Sequence, residues 1–337
     1  MSVPVNKNAT RNAKKLLDYL YEVAGQKIIT GQHTQTKPME EIDYIREVTG
    51  KEPKLRGFEL LAYSPNINYD DASEPCLTEV YENRDTLETA YQWALSRRPE
   101  ADGKDSREQK VSWEWMPDRD GIVTFCFHWF SPVGGRDKSF YTEHTEFDAG
   151  KVLEKGTPEH TAFFQDLDVI AEELKRFCDA DIPILWRPFH ESEGTWFWWG
   201  AKGPKVASEL YKLMYRYYTE VYHLDNLLWV YNCPAEGGYP GDEYVDVISW
   251  DIYLQQYEET DYQDYYERLL ELNTGNKVAA LAEIGYLPDI RILEKSHTPW
   301  AYYMTWSKEF CLGEKYNKKD KLAETYESEY AVSMQPQ

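Results

Sequence analysis

Along this chain short apolar runs alternate with longer amphipathic stretches, a rhythm that predicts strands and helices in turn. The 3.6-residue spacing predicts helices over Lys14–Val23, Glu40–Glu47, Asp85–Ser96, Pro158–Ala180, Val206–Tyr222 and Tyr262–Glu271. Compact apolar runs predict strands over Lys27–Gln32, Leu55–Leu60, Ile122–His128 and Ile184–Phe189. Four more follow at Leu227–Tyr231, Val245–Tyr253, Val278–Ile284 and Ala301–Trp306. Eight strands with helices between them suit an α/β fold of the TIM type, a (β/α)8 barrel with a parallel sheet. No linker, repeat or low-complexity tract interrupts the pattern, so residues 1–337 are read as a single domain. Two connections are long. The one from Arg97 to Asp120, holding Trp113 and Trp115, joins a helix to a strand and belongs on the face away from a barrel's active site. The other, Ser131 to Thr157, leaves the C-terminal end of the third strand and could wall a substrate cleft.

Charge and composition narrow the partners. A net charge of −22 opposes binding to nucleic acid and to anionic membrane surfaces, and leaves a neutral ligand open. The aromatic fraction is 15%, with 12 Trp and 27 Tyr. Indole N–H groups need partners when buried, so this many Trp suggests surfaces for sugar rings, although a Trp-rich core explains any single one equally well. The five cysteines are odd in number and widely spaced, with Cys126 and Cys178 expected as buried thiols, and neither they nor the scattered His show metal-ligand spacing. No metal and no cofactor are expected. The first residues lack the apolar core of a signal peptide, and no run is long enough to span a membrane.

The chemistry concentrates at the ends of strands. Glu191 closes the fourth strand in Trp-Arg-Pro-Phe-His-Glu, and Glu283 closes the seventh in Leu-Ala-Glu-Ile-Gly-Tyr. Strands four and seven are expected across the barrel from each other. Two carboxylates so placed suit cleavage of a glycosidic bond, one protonated to serve the leaving oxygen and one ionised to attack. Either Glu alone reads better as structural glue; two at opposed strand ends favour function. Arg187 would hold a carboxylate such as Glu283 ionised, or form a purely structural ion pair. Asp251 and Tyr253 end the sixth strand, where Tyr253 could donate to the nucleophile or merely bond Asp251. His190 could meet a sugar hydroxyl or orient the acid, and His128 with Trp129 takes the matching place on the third strand. Trp196-Phe-Trp-Trp199 is either a stacking platform, with Trp196 the best placed, or a hydrophobic plug. Trp306 ends the eighth strand as a platform beneath a reacting sugar, and Glu193 is the rival acid, disfavoured because it stands on a loop.

The run Trp186-Arg-Pro-Phe-His-Glu-Ser-Glu-Gly-Thr-Trp-Phe-Trp-Trp-Gly, with Ala282-Glu-Ile-Gly and Ile29-Thr-Gly-Gln-His, resembles glycoside hydrolase family 26 from about residue 14 to about residue 308. Most of that family are endo-β-1,4-mannanases. The resemblance implies Glu191 as acid/base and Glu283 as nucleophile of a retaining reaction. It also implies His190, Tyr253 and Trp306 around the cleaved sugar, His128 on the third-strand side and Trp196 on the leaving-group side. The substrate implied is mannan, glucomannan or galactomannan, a neutral β-linked polysaccharide, acted on by a monomer. Mixed-linkage β-1,3-1,4-glucan, β-1,3-xylan, and a barrel that binds glycans without cleaving them are the alternatives. The family's habit implies an extracellular protein, whereas a native start at Met1 would imply a cytoplasmic one.

Overall fold

Strands buried on both faces need neighbours on both edges and cover above and below, a condition that a closed parallel barrel meets. The computed structural model describes residues 2–96, 113–255, 257–273 and 277–336. Its barrel strands are β1 (Ile28–Ile29 and Gly31–His33, interrupted at Thr30), β2 (Leu55–Glu59), β3 (Ile122–Cys126) and β4 (Ile184–Arg187). They continue as β5 (Leu227–Tyr231), β6 (Val247–Ile252), β7 (Val278–Ile284) and β8 (Trp300–Thr305). All pair in parallel and in chain order, and β8 returns to β1 through Tyr302 with Ile29 and Thr305 with Gln32. The barrel expected from the apolar rhythm is therefore present. One placement differs. Strands β4 and β7 are separated on one side by β5 and β6, so they stand three steps apart around the ring and not diametrically opposed.

Helices cover the barrel where expected, starting with α1 (Arg11–Val23) and α2 (Glu40–Thr49). Next come α3 (Glu74–Glu82), which the spacing did not reveal, and α4 (Thr86–Leu95). The longest is α5 (Pro158–Asp179), started by Thr157, whose hydroxyl accepts from the His160 N–H, and by Pro158 in the first turn. Then follow α6 (Pro204–Arg216), continued by a π-helical turn at Tyr217–Val221, and α7 (Gln263–Leu272). The short α8 (Ile290–Ser296) and α9 (Lys319–Glu327) also escaped the sequence pattern, because each buries few apolar residues. So did a peripheral pair, Glu52–Pro53 antiparallel to Ala331–Met334, the second of which extends the sheet beside the start of β1. Cys126 is buried as expected, but Cys178, at the end of α5, is only half-buried. All five cysteines are free thiols.

The barrel interior is filled by Ile29, Leu55, Ile122, Leu185, Leu228, Val230 and Val247 from the strands. Beneath them Ala13, Leu16, Leu17 and Leu20 of α1 close one end. That end is the N-terminal one: Thr10 N–H donates to the Asp225 carbonyl and Asn12 to the Asp181 carbonyl, both just ahead of strands. Trp115 packs there too, with its ring 5.6 Å from Tyr19. The described part of the 97–120 connection thus lies away from the mouth, as expected, while 97–112 fall outside the described residues. At the opposite end the 131–157 connection stands beside the segment following β4. Tyr141 bridges Phe197, and the Thr142 N–H donates to the Trp196 carbonyl at 2.7 Å.

Two glycines make the packing of β8 possible. A Cβ on Gly31 would fall 2.2 Å from the Tyr303 carbonyl oxygen, and one on Gly57 would fall 2.2 Å from the Met304 sulfur. A thioether chain can swing aside; a strand carbonyl cannot. Gly57→Ala should therefore destabilise the fold by about 1 kcal/mol and Gly31→Ala by about 3 kcal/mol or more. Urea denaturation of the two variants checks the order, and equal losses would contradict it.

Candidate active site

A buried guanidinium organises the barrel mouth. Arg187, the last residue of β4, donates through Nη1 to Asp251 Oδ2 and through Nη2 to Glu283 Oε2, the latter at 2.8 Å. The arginine is 1% exposed, and both carboxylates are buried. A register shift between Trp250 and Asp251 brings Asp251 level with Glu283 across β6 and β7, so that both face one cation. Burial pushes the Asp251 carboxyl up, with Arg187 pulling against it and the charge on Glu283 adding to it. The second oxygen of Glu283 accepts from the Tyr253 hydroxyl. The Tyr253 ring is open to the cleft, 44% exposed, while its hydroxyl end is buried against the carboxylate.

Glu191 completes the group from just beyond β4. It has a left-handed backbone, φ 52°, and Phe189 has φ 54°, so the chain is strained on both sides of His190. Asn232, one residue past β5, holds this turn: its Oδ1 accepts the Glu191 N–H at 2.9 Å while its Nδ2 donates to Asp251 at 2.7 Å. One oxygen from each of Glu191, Asp251 and Glu283 lies within 4.8 Å of the other two. Burial, and then the charge on Glu283, push the Glu191 carboxyl up to about 7, against the hydrogen bond it accepts from Trp196 Nε1 at 2.9 Å. Glu193, the rival acid, is also pushed up to about 7 by burial, but it stands outside this carboxylate group and its Oε2 has no partner.

A polar chain runs along the other side. Glu59, the last residue of β2, accepts from the His128 N–H at 2.8 Å and lies 2.7 Å from His128 Nδ1. The His128 Nε2 in turn lies 3.2 Å from His190 Nε2. Burial opposes charge on His128, but the Glu59 carboxylate outweighs it and raises the imidazole above its ordinary range. Burial and the neighbouring His128 hold His190 well below its own. The two imidazoles are thus pushed in opposite directions, His128 towards the charged form by Glu59 and His190 towards the neutral one by burial. Trp306 stacks on His33 with centroids 3.9 Å apart and comes within 5.9 Å of His128.

The aromatic run after Glu191 divides between its two readings. Trp196 is 45% exposed beside Glu191, whereas Phe197, Trp198 and Trp199 are buried. Trp199 donates to the His190 carbonyl at 2.8 Å and Trp198 to the Trp129 carbonyl at 2.7 Å. Gly194 gives Trp196 its room, since a Cβ there would meet the indole at 1.9 Å. Trp129 does not share the mouth with His128. It is buried and donates to Asp166 of α5 at 2.7 Å, because successive residues beyond a strand point to opposite faces. The structure therefore brings Glu191, Glu283, Arg187, Asp251, Tyr253, His128, His190, Trp196 and Trp306 together. Asn232, Glu59 and His33 belong with them and were missed, although each sits at the C-terminal end of a strand, the signal that revealed the others.

Comparison with known proteins gives a match to glycosyl hydrolase family 26 over residues 5–84 and 85–336. A mannan endo-1,4-β-mannosidase of Thermothelomyces thermophilus is 33% identical over 98% of this chain and 62% of its own length. Mannan endo-1,4-β-mannosidase B of a Piromyces species is 28% identical over 98% of this chain and 52% of its own. This chain thus spans only half to three-fifths of these relatives. Among solved structures, the Podospora anserina GH26-CBM35 β-(1,4)-mannanase superposes with a TM-score of 0.81 at 34% identity, covering 98% of this chain and 67% of that one. A β-mannanase from a symbiotic protist of the termite Reticulitermes speratus, complexed with gluco-manno-oligosaccharide, gives 0.80 at 29% identity, with 98% and 96% covered. Among the described residues no helix is long and apolar enough to cross a membrane.

The raised pKa of Glu191 has a consequence for stability. Its folded value of about 7 exceeds the ordinary 4.5, so ionisation opposes folding. That penalty is absent below the ordinary value, grows as pH rises through the interval, and is complete above about 7. Glu191→Gln should therefore stabilise the protein by about 1–3 kcal/mol at pH ~8 and by almost nothing at pH ~4. Chemical denaturation at the two pH values checks this; an equal gain at both would contradict it.

Proposed function

The chain belongs to glycosyl hydrolase family 26, and from that membership we propose that it hydrolyses β-1,4-mannosidic bonds in mannan, glucomannan or galactomannan with net retention. The single observation that carries the reading is the trio of carboxylate oxygens within 4.8 Å of one another, two of them on one buried arginine. This closeness fits the carboxyl separation of about 5–5.5 Å that lets one group attack the sugar directly, and leaves little room for the intervening water that inversion needs. The names of the relatives favour mannan as the polysaccharide.

In the first step Glu191 gives its proton to the glycosidic oxygen while a Glu283 oxygen bonds to the anomeric carbon and the carbon–oxygen bond to the leaving sugar breaks. Glu283 is suited to attack because Arg187 and Tyr253 donate to its two oxygens and hold the carboxylate in place. Glu191 is suited to donate because its carboxyl is pushed up to about 7. Once Glu283 is esterified its charge is gone, and with it the second cause of that rise. Glu191 then becomes acidic enough to stay ionised and to take a proton from the water that attacks the glycosyl–enzyme. Trp196, exposed beside the acid, offers a face to the leaving-group sugar, and Trp306 to the sugar being cleaved. His128 and His190, bonded to each other, form part of the wall between them.

Reducing-sugar assays on mannan, lichenan and β-1,3-xylan test the substrate, and mannan should be cleaved fastest. Binding to mannan without release of reducing ends would instead mark a glycan-binding barrel. For the roles, Glu283→Ala should be rescued by azide with an inverted glycosyl azide, and Glu191→Ala with a retained one. The opposite pairing would exchange the two assignments. The kcat/KM of the unmodified enzyme should fall on the alkaline side of pH ~7 as Glu191 loses its proton, and a plateau extending to pH ~9 would remove Glu191 from the acid's role.

A further inference from the structure

Beneath the Trp306 side of the cleft three adjacent strands present a nitrogen, an oxygen and a sulfur to one point. His33 ends β1, Glu59 ends β2 and Cys126 ends β3, with Glu59 and Cys126 in register across β2 and β3. The Cys126 sulfur lies 3.0 Å from Glu59 Oε2 and 3.8 Å from His33 Nε2, and one ligand atom from each residue lies within 4.8 Å of the other two. A tetrahedral Zn²⁺, with bonds of about 2.3 Å to sulfur and about 2.0–2.1 Å to nitrogen and oxygen, needs ligands roughly 3.3–3.6 Å apart. These separations approach that figure with side-chain adjustments of tenths of an ångström to about one. All three residues are buried on rigid strand ends.

The chemical states also suit a metal. Burial holds His33 down to about 3, so its imidazole is neutral and keeps a lone pair. Its Nδ1 has no partner, and its other nitrogen meets only the weak Cys126 contact. The Cys126 thiol donates to Glu59, and a bound cation would replace that proton, releasing it to solvent as a metal–sulfur bond forms. One thiolate and one carboxylate then face the two charges of the ion, provided that Glu59 Oε2 turns from His128 Nδ1 to the metal. A cavity of about 180 Å³ lined by His33, Glu59, Gln35 and Trp306 gives entry and room for a water as fourth ligand. The other close trio, Glu191, Asp251 and Glu283, already holds the Arg187 guanidinium.

We propose that His33, Glu59 and Cys126 form a Zn²⁺ site under the cleft, and that filling it inhibits the enzyme by drawing Glu59 away from His128. The binding half stands on these three residues alone; the inhibitory half rests on the hydrolase reading above. Cobalt(II) is the probe, titrated into the full chain under reducing conditions. Tetrahedral thiolate binding gives a sulfur-to-cobalt charge-transfer band, which should saturate at a single equivalent and be abolished by added Zn²⁺. The band should be lost in Cys126→Ser and in His33→Ala, each checked for folding by near-UV circular dichroism, and kept in Cys178→Ser. No band in the unmodified protein, or one that survives Cys126→Ser, overturns the site. Polysaccharide hydrolysis should fall with the same Zn²⁺ dependence as loss of the cobalt band, and a filled site with undiminished hydrolysis overturns the inhibitory half. A protein that binds cobalt through Cys126 yet cleaves none of the three polysaccharides leaves the site standing and removes the hydrolase reading instead.

Discussion

Arg187 is a full charge with almost no access to water, and the rest of the barrel mouth is arranged around that fact. Burying such an ion without partners would cost several kcal/mol, and Asp251 and Glu283 offset this by taking one side each of its planar fork. Two carboxylates on one cation leave the trio with an excess negative charge. Asn232 and Tyr253 spread that excess by donating to the outer oxygens. A third carboxyl close by finds no cation left to share, and Glu191 is in that position. Its raised pKa comes first from burial and then from the charge on Glu283, with Arg187 pulling only weakly against them. The proposed acid and the proposed nucleophile thus differ in their partners: Glu283 accepts from Arg187 and Tyr253, while Glu191 is half-buried beside that charge without the guanidinium.

Placement of these groups to within a few tenths of an ångström depends on what lies behind them. The segment after β4 has almost no regular structure, yet Phe189, Phe197, Trp198 and Trp199 are buried and the two buried indoles donate to fixed carbonyls. Trp129 extends this support to Asp166 on α5, tying the segments after β3 and β4 to a helix of the outer layer. A loop held in this way carries the strained turn at Phe189 and Glu191 without relaxing it. Part of the indole content is exposed at the cleft and part, including Trp129, Trp198, Trp199 and Trp300, acts as buried hydrogen-bond donors, while Trp229 is buried for its packing alone.

Much of this was legible in the sequence because barrel strands are buried on both faces and announce themselves as apolar runs. The strand Leu227–Tyr231 came out with the same bounds in sequence and structure. Short α3, α8 and α9 were not legible, since a helix of two turns lying on a surface needs too few apolar residues to leave a period. Glu191 and Glu283 stood out as acids closing apolar runs. Asn232 did not, because a lone amide after a strand looks like any loop residue, and its importance comes from partners 41 and 19 positions away. Trp196 and Trp199 look alike in sequence. Trp196 is the one expected to stack, and the structure supplies the reason in Gly194, which lets that indole fold back onto Glu191.

The peripheral strand Ala331–Met334 bears on how the barrel comes to be made. Ile28 N–H donates to the Tyr330 carbonyl and Thr30 N–H to the Val332 carbonyl, so the opening half of β1 is held on one edge by residues some three hundred positions later. On the other edge its partner is β8, synthesised only at residues 300–305. A ribosome-bound chain therefore carries an apolar β1 with neither neighbour for that half until residues beyond 300 have emerged. Contacts of such length slow folding, because loop closure must precede any gain from pairing. The nascent protein stays open along this seam longest, and the seam, far from the chemistry in sequence terms, sets when the mouth of the barrel first acquires its shape.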